Sequence, residues 1–218
     1  MRFRQLLVLA AGLIFALAFN VRAQTLADVA REAKQKKKES ARPVITNDEM
    51  PSTASFASIR LLRQTPNPPS LAPYESTSMP LVEAMLEFAG VRRDELVFDI
   101  GSGDGRIVIV AAEVFGARGV VIEIDSELVA LSRQKIEERG LKDRVRILHA
   151  NALDVDLSAA DVVTLYLTPD GLTLLRPHLE ATLRSGTRVV ANTFPVKEWT
   201  PTRVERLQGH TVYLYHVH

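Results

Sequence analysis

The chain has 218 residues, of which 46% are hydrophobic and 24% are charged, and its formal net charge is +1 at pH 7. This length fits one globular domain with additional segments, and the near-neutral charge gives no electrostatic argument for nucleic acid as a partner. The chain has no cysteine, which excludes disulfides, thiolate metal sites and cysteine nucleophiles.

Residues 1–23 have the pattern of a secretory signal peptide. A basic leader precedes an apolar run over residues 6–19, and Val21-Arg22-Ala23 resembles a small-residue cleavage site. The run is shorter than the ~20 residues that span a bilayer comfortably. The sequence therefore predicts a cleaved signal and a location in the cell envelope, with an uncleaved membrane anchor as the alternative.

Residues 24–66 are predicted to form a basic, proline-containing linker ahead of a folded domain at 67–218. Lysines at 36–38 make a helical pattern over 26–38 basic, which is typical of a solvated spacer; contact with anionic lipid head groups is the alternative. If the apolar run is retained as an anchor, the excess of basic residues behind it favours a cytoplasmic location for the folded domain.

Within the predicted domain, helical and strand patterns alternate. A helix is predicted over 80–89 with Ser78 as its N-cap, and a short apolar run over 96–100 predicts a buried strand. Three glycines at alternate positions follow in the motif D-I-G-S-G-D-G-R at 99–106, where the next helix begins. Glycines let the backbone approach a ligand closely, and a helix start presents unpaired N–H groups, so this turn predicts a nucleotide-binding site.

The spacing of these glycines separates the kinds of nucleotide site. Dinucleotide-binding folds need glycine or alanine where Arg106 stands, and the Gly-Lys-Ser/Thr of a P-loop is absent. The motif instead resembles the first motif of class I S-adenosylmethionine (SAM) methyltransferases. Glu123 ends the next strand, over 119–123, about 20 residues past the glycines, where nucleotide-binding folds place a carboxylate on the ribose hydroxyls. Asp125 is the competing acid, and its alternative role is to cap the helix predicted over 126–139.

The remaining elements complete a doubly wound pattern. A strand over 144–149 leads to Asn151 and Ala152, at the place where this kind of fold holds the adenine, and the Asn151 carbonyl can accept from the adenine amine. Further strands are predicted over 161–167, 187–192, 205–207 and 211–217, with helices over 105–115 and 172–183. The sequence thus predicts an α/β fold, a Rossmann-like, doubly wound sheet that is mostly parallel with an antiparallel C-terminal edge.

From residue 73 to the C-terminus the sequence resembles the small seven-β-strand protein-lysine methyltransferases, which include the mitochondrial enzymes acting on ATP synthase c-subunit and adenine nucleotide translocase. The segments that carry this resemblance are 73–77, 99–108, 123–125, 165–169, 175–177, 186–190 and 199–201. The spacing of Tyr74 and Thr77 is also similar to that in the non-SET histone lysine methyltransferases.

The resemblance implies that SAM is the cofactor and that the lysine amine of a protein is the acceptor. The implied cofactor-binding residues are Thr77, Asp99, Gly101, Ser102, Gly103, Gly105, Glu123, Asn151 and Ala152. Asp99 is expected to bond the backbone of the glycine turn or the SAM amino group. Asp104 and Arg106 are expected to pair with each other or cap the helix instead of touching a ligand.

Tyr74, Tyr166 and Thr168 are candidates for lining the acceptor channel; core packing by Tyr166 and capping by Thr168 are the alternatives. Residues 167–169 read Leu-Thr-Pro where an Asn-Pro-Pro-Tyr-like motif marks transfer to amide or base nitrogen, so a lysine amine fits and no nucleic acid partner is predicted. Deprotonating lysine at pH 7 costs about 4–5 kcal/mol. An apolar channel would lower this cost, and the sequence offers no obvious general base.

Two other interpretations stay open. A methyltransferase for a small molecule or lipid would suit membrane targeting, and a non-catalytic exported module that keeps the fold would suit export, since SAM is a cytoplasmic metabolite. His210, His216 and His218 lie close in sequence, but histidines at a chain end are more often simply exposed, so no metal site is predicted. The sequence predicts neither the target protein nor the oligomeric state.

Overall fold

The structure, a computed structural model, describes Phe56, residues 59–63 and residues 69–218. The predicted signal peptide at 1–23 and most of the predicted linker lie outside the described residues. No helix within the described ranges is long and apolar enough to cross a membrane.

Seven strands, four α-helices and one short 3₁₀ helix follow one another in the described part of the chain. The α-helices are α1 Met79–Phe88, α2 Arg106–Glu113, α3 Ser126–Glu138 and α4 Pro169–Thr182. The strands are β1 Leu96–Ile100, β2 Arg118–Glu123, β3 Val145–His149, β4 Val162–Leu165, β5 Arg188–Asn192, β6 Arg203–Leu207 and β7 His210–His216. The 3₁₀ helix Ala152–Asp154 follows β3. Every helix and strand predicted for this part of the chain is present, with small displacements of its ends.

All the strands of the described chain form one sheet in the order β3-β2-β1-β4-β5-β7-β6. The first five in that order are parallel, whereas β7 runs antiparallel to β5 and β6 antiparallel to β7. This arrangement confirms the predicted doubly wound sheet with an antiparallel C-terminal edge. Because the chain leaves β1 first toward β2 and later returns to β4, the carboxyl ends of β1 and β4 flank the switch point where open α/β sheets bind ligands.

Alternate residues of the central strand β1 face opposite layers of the fold. Phe98 and Ile100 pack into a core with α4, whereas Val97 packs with α1 and α2. A third cluster lies under α3. Every residue of β1 is buried, because helices cover both faces of the sheet. This explains why the strand is a continuous apolar run interrupted only by Asp99, whose role belongs to the site described below.

The described part of the predicted linker packs against the domain. Phe56 is buried, and residues 59–63 run alongside the segment after β3. The amide of Leu62 donates to the carbonyl of Asp154 at 2.6 Å, and Arg63 Nε forms an ion pair with the Asp154 carboxylate at 2.9 Å. These residues therefore belong structurally with the domain, and the domain start proposed from the sequence stays a prediction.

A close approach of α2 to β2 gives a first stability prediction. A Cβ added at Gly119 would lie 2.5 Å from the Cβ of Val108, so helix and strand can pack this closely only because Gly119 lacks a side chain. Gly119→Ala is therefore expected to lower the free energy of unfolding by about 1–3 kcal/mol, as overpacking of a filled core does. Chemical denaturation of the variant checks this, and an unchanged unfolding midpoint would contradict the packing described here.

Candidate active site

The glycine turn at the end of β1 has a backbone that only glycine adopts readily. Gly101, Gly103 and Gly105 have φ values of +69°, +58° and +78°, and Gly105 is the N-cap of α2. The amides of Gly101 and its neighbour both donate to the carbonyl of Ile122 in β2, at 3.0 and 3.2 Å. A Cβ at Gly103 would overlap the ring of Tyr74, which lies over the turn. Gly101 is the exposed residue of the turn, so its backbone at the switch point is suited to a ligand that must come close.

Glu123 ties the glycine turn to the end of β2. Its side chain is buried, and Oε2 accepts from the amide of Gly103 at 2.8 Å. Oε1 accepts from the amides of Ile124 and Asp125 at 2.7 and 2.9 Å. Since a carboxylate has roughly four acceptor positions, three backbone bonds leave capacity for a ribose hydroxyl. The ribose contact stays a prediction, and the structure adds that Glu123 also fixes the shape of the turn.

Asp125, the competing acid, has the alternative role that the sequence offered. Its Oδ1 accepts from the amides of Glu127 and Leu128 at 2.8 and 3.2 Å, which makes it the side-chain N-cap of α3. The two acids after β2 therefore have different tasks in the free protein.

The carboxylate of Asp99, in β1, links the glycine turn to β4. Its carboxylate accepts from the hydroxyls of Thr164, at 2.6 Å, and Ser102, at 2.7 Å, so it bonds a side chain of the turn instead of the turn's backbone as expected. Burial raises the pKa of Asp99 to about 6, against the lowering effect of the two hydroxyl bonds. A buried carboxylate at the switch point is the group in this site suited to a cationic amino group of a ligand.

The raised pKa of Asp99 predicts how the free protein responds to pH. Stability contributed by this group is fully present below its ordinary pKa of 3.8 and is lost as the pH rises through about 6. Asp99→Asn removes the buried charge, so we expect the variant to be about 1–2 kcal/mol more stable than wild type at about pH 8 while binding SAM more weakly. Urea denaturation at about pH 4 and pH 8 measures the effect; an identical pH dependence in both proteins would contradict it.

Asp104 and Arg106 pair, as the sequence predicted, and Lys135 joins them. Arg106 Nη2 and Lys135 Nζ lie 2.6 and 2.5 Å from the buried Asp104 carboxylate. Burial alone would raise the pKa of Asp104, but the hydrogen bonds and charges of these two cations hold it well below its usual range. Arg106 Nη1 also donates to the carbonyl of Thr77 at 2.6 Å. This ion cluster fastens the segment before α1 to the start of α2.

Asn151 presents a different group from the one expected. Its Oδ1 accepts from the amide of Leu153 at 3.1 Å and caps the 3₁₀ helix that begins at Ala152. Its Nδ2 is buried with no hydrogen-bond partner in the part of the chain that the structure describes. An unpaired buried donor is costly, so the site offers an N–H to a ring nitrogen of adenine, beside the carbonyl acceptor that the sequence suggested. The glycine cradle, the two carboxylates and this orphan donor together fit an adenosyl amino acid.

The three candidates for lining the acceptor channel differ in their contacts and exposure. Thr168 has the capping role: its hydroxyl accepts from the amide of Gly171 at 3.1 Å and donates to the carbonyl of Leu71 at 2.9 Å. Tyr74 is 51% exposed above the glycine turn. Tyr166, directly after β4, is half-buried, and its ring meets that of His210 edge-on. Tyr74 and Tyr166 therefore remain the candidates that face the acceptor side.

Sequence reasoning missed the residues that surround Tyr166. Burial raises the pKa of the Tyr166 hydroxyl, the charge of Glu75 and a hydrogen bond with it raise the pKa further, and a hydrogen bond with Thr193 lowers it. Thr193 in turn lies 3.1 Å from His210 Nδ1. The usable signal was strand order, since Thr193 follows β5 as Tyr166 follows β4; no local pattern marks Glu75. The sequence predicts His210 only as an exposed histidine near the chain end. Among the described residues, no group of side chains is arranged for a metal.

Comparison with known proteins places this geometry among methyltransferases. The family model for the ANTKMT methyltransferase domain matches residues 99–203. A protein-lysine N-methyltransferase from Saccharolobus islandicus is 40% identical over 66% of this chain and 92% of its own length. The adenine nucleotide translocase lysine N-methyltransferase of Mus musculus is 34% identical over 67% of this chain and 63% of its own length. The chain thus spans nearly all of the archaeal relative and less than two thirds of the mouse relative.

A solved structure adds a similar fold with a ligand bound. The RNA methyltransferase from Salinibacter ruber in complex with S-adenosyl-L-homocysteine is 45% identical, with a TM-score of 0.64, over 66% of this chain and 94% of that chain. The segment matched by the family model contains both the glycine turn with Glu123 and the strand ends at Tyr166 and Thr193.

Proposed function

The chain belongs to the class I SAM-dependent methyltransferases, in the family of the small seven-β-strand protein-lysine methyltransferases, and from that membership we propose that it methylates the side-chain amine of lysine in a protein substrate. SAM supplies a methyl group that is already activated on a sulfonium. The task of this chain is to hold the cofactor and to align an amine for in-line attack. Glu123, Asp99, Asn151 and the glycine turn are the groups that would hold the ribose, the amino acid part and the adenine.

The observation that carries the proposal is the composition of the acceptor side. Glu75 places a carboxylate beside Tyr166, and Tyr74 and Phe194, next to Thr193, expose large parts of their rings. A lysine side chain has an apolar stem that packs along aromatic faces and a cation that is attracted both to a carboxylate and to the face of a ring. The acceptor side is complementary to both parts of this side chain.

RNA is the second candidate acceptor, because the similar structure from Salinibacter ruber is that of an RNA methyltransferase. Single-stranded nucleic acid binds along positively charged grooves in which aromatic rings stack on the bases. The acceptor side has the aromatic rings, but the charge nearest to Tyr166 is the negative carboxylate of Glu75. This charge favours a cationic amine over a phosphate backbone.

The test uses the full-length protein, methyl-labelled SAM and a total extract of the source cells from which the gene has been deleted. We expect label in a discrete protein band that protease removes and ribonuclease leaves, with methyl-lysine in its acid hydrolysate. Label removed by ribonuclease would establish the RNA alternative. Label that is lost on dialysis or enters organic solvent would favour a small-molecule or lipid acceptor. Neither transfer nor SAM binding by calorimetry would leave the non-catalytic exported module.

The location of the catalytic domain needs a separate proposal. A retained N-terminal anchor with the domain on the cytoplasmic side would reconcile the apolar run at 6–19 with the supply of SAM, and it agrees with the excess of basic residues behind that run. A phosphatase fused to the C-terminus distinguishes the two locations: activity that requires the periplasm would contradict this topology and favour export with a cleaved signal.

A further inference from the structure

The acceptor side has its own cluster of polar groups, distinct from those that would hold the cofactor. Tyr166 follows β4 and Thr193 follows β5, and these strands pair in parallel, so both residues lie at the carboxyl edge of the sheet. His210 begins β7, which pairs with β5. Glu123 and Asn151 follow β2 and β3, on the opposite side of β1. The sheet therefore separates a cofactor side from this acceptor cluster of Glu75, Tyr166, Asn192, Thr193 and His210.

Hydrogen bonds connect the members of the acceptor cluster in a chain. Thr193 Oγ1 lies 3.1 Å from His210 Nδ1 and also 3.1 Å from Asn192 Oδ1. The hydroxyl of Tyr166 donates to the Glu75 carboxylate, which raises its pKa, and accepts from the hydroxyl of Thr193, which lowers it. The rings of Tyr166 and His210 meet edge-on with their centroids 6.4 Å apart. A path of hydroxyls thus runs from an exposed carboxylate to an imidazole.

The backbone at the centre of this path is strained. Thr193 has a φ of +69°, a left-handed conformation that is a genuine outlier for a β-branched residue. Its amide donates to the carbonyl of Thr211 in β7 at 2.8 Å, which holds the residue in that conformation. Strain of this kind persists where surrounding structure over-determines it, and it concentrates at functional sites. In this backbone conformation the hydroxyl of Thr193 lies near both Tyr166 and His210.

Asn192 influences which acceptor the hydrogen of Thr193 bonds. It is 1% exposed, and its Nδ2 has no partner among the described residues. Turning the amide by half a rotation would place Nδ2 where Oδ1 now lies, within reach of Thr193 Oγ1, and would move Oδ1 to the unpaired position. A hydroxyl has one hydrogen and two acceptor positions. With Asn192 as donor, the single hydrogen of Thr193 has two possible acceptors, the Tyr166 oxygen and His210 Nδ1.

We propose that this cluster binds the ammonium of the substrate lysine and delivers its proton to His210, an inference that rests on the proposed lysine substrate. The ammonium donates to Glu75 in place of the Tyr166 hydroxyl, and it also donates to the Tyr166 oxygen, so that the Tyr166 hydrogen turns toward Thr193 and the Thr193 hydrogen toward His210. One N–H bond breaks, and a proton moves through the hydroxyls of Tyr166 and Thr193 so that an N–H bond forms at His210 Nδ1. The lysine becomes neutral, the imidazole becomes imidazolium, and the nitrogen lone pair is free for the methyl group.

This role answers the need for a base that the sequence left open. From a reference pKa near 10.4, roughly one lysine side chain in a few thousand is neutral at pH 7. Without a proton acceptor, the enzyme could methylate only this small neutral fraction. A positioned proton acceptor contributes typically about 10²–10⁴-fold to the rate. In the described contacts, the titratable side chains that face His210 and Thr193 are Tyr166 and, through its hydroxyl, Glu75.

The chain contains a matched control for the central pair. Thr202 Oγ1 lies 3.0 Å from His216 Nδ1 near the other end of β7, where His216 is exposed. The tested variants are His210→Gln and Thr193→Val, and the controls are His216→Gln and Thr202→Val. Transfer of label to total protein in the gene-deleted extract is measured from pH 7 to about pH 10, with SAM affinity measured by calorimetry as a check on folding.

We expect His210→Gln and Thr193→Val to lose at least about 100-fold in the rate of methyl transfer at pH 7 and to recover much of it toward pH 10, where a large fraction of lysine is neutral in solution. SAM affinity should not change, Thr193→Ser should retain most activity because it keeps the hydroxyl, and both controls should match wild type. A loss that is equal at every pH, or equal in the His216 control, would overturn the proton-accepting role while leaving the lysine substrate intact. Failure of the wild-type protein to label any protein would instead overturn the proposed function, and this inference with it.

Discussion

Replacing Glu123 by alanine is expected to weaken SAM binding by about 100-fold or more while the protein stays folded. The carboxylate is predicted to bind a ribose hydroxyl through its remaining acceptor position, and such a bond to a charged group contributes about 1.5–3 kcal/mol, which corresponds to a factor of about 10–150 at about 1.4 kcal/mol per tenfold. The loss is compounded in this chain because the same carboxylate accepts from the amide of Gly103 at 2.8 Å. Without it, the glycine turn loses the side-chain bond that fixes Gly103 to β2 and keeps only the two backbone bonds to Ile122.

Asp125→Ala is the matched control for that variant. Asp125 lies two residues further on and caps α3 through the amides of Glu127 and Leu128. Its removal is expected to reduce stability by about 1 kcal/mol, as loss of an N-cap does, and to leave SAM affinity near that of wild type. Calorimetric titration of both variants with SAM, alongside their thermal unfolding, separates the roles. Equal SAM affinity in Glu123→Ala and wild type would reject Glu123 as the ribose ligand; a larger loss in Asp125→Ala would assign that role to its neighbour.

Most element positions could be predicted from the sequence because their signals are local, and their alternation indicated a mostly parallel, doubly wound sheet. β1 was predicted at its observed bounds, since a strand buried on both faces reads as an apolar run. The start of α4 was predicted three residues late. Thr168 and Pro169 look like turn residues, but in the structure the hydroxyl of Thr168 caps a helix with Pro169 in its first turn. The first residues of β6 were missed because this edge strand is exposed and shows no apolar alternation.

The residues of the cofactor side could be proposed from the sequence for the same reason, as could Tyr74 and Tyr166, but the cluster around Tyr166 could not. The glycine turn and Glu123 lie about 20 residues apart within one strand–helix–strand unit, a spacing set by the fold. Tyr166 and His210 come from segments far apart in the chain and meet because β4, β5 and β7 follow one another in the sheet, and Glu75 reaches Tyr166 from the segment before α1. The free Nδ2 of Asn151 was also beyond sequence reasoning, because it depends on which side-chain atom caps the 3₁₀ helix.

Gly101→Arg is expected to abolish SAM binding, and the chain provides a control for the strain that this change introduces. Gly101 has a φ of +69°, and a Cβ there would lie 3.1 Å from Cδ2 of Leu167, beyond the end of β4. The new side chain must therefore enter the crevice between the ends of β1 and β4, where the cofactor is expected to cross the sheet. Gly140, after α3, has a nearly identical φ of +66° but open space around it.

Because both glycines have left-handed backbones, arginine at either position costs about 1–2 kcal/mol in conformational strain. We expect Gly101→Arg and Gly140→Arg to lose similar amounts of thermal stability, and only Gly101→Arg to lose calorimetric SAM binding and methyl transfer. This comparison separates a blocked site from a weakened fold, which a single glycine variant cannot do. SAM binding retained by Gly101→Arg would mean that the cofactor does not pass over the turn after β1, and the site would have to be sought at another part of the carboxyl edge.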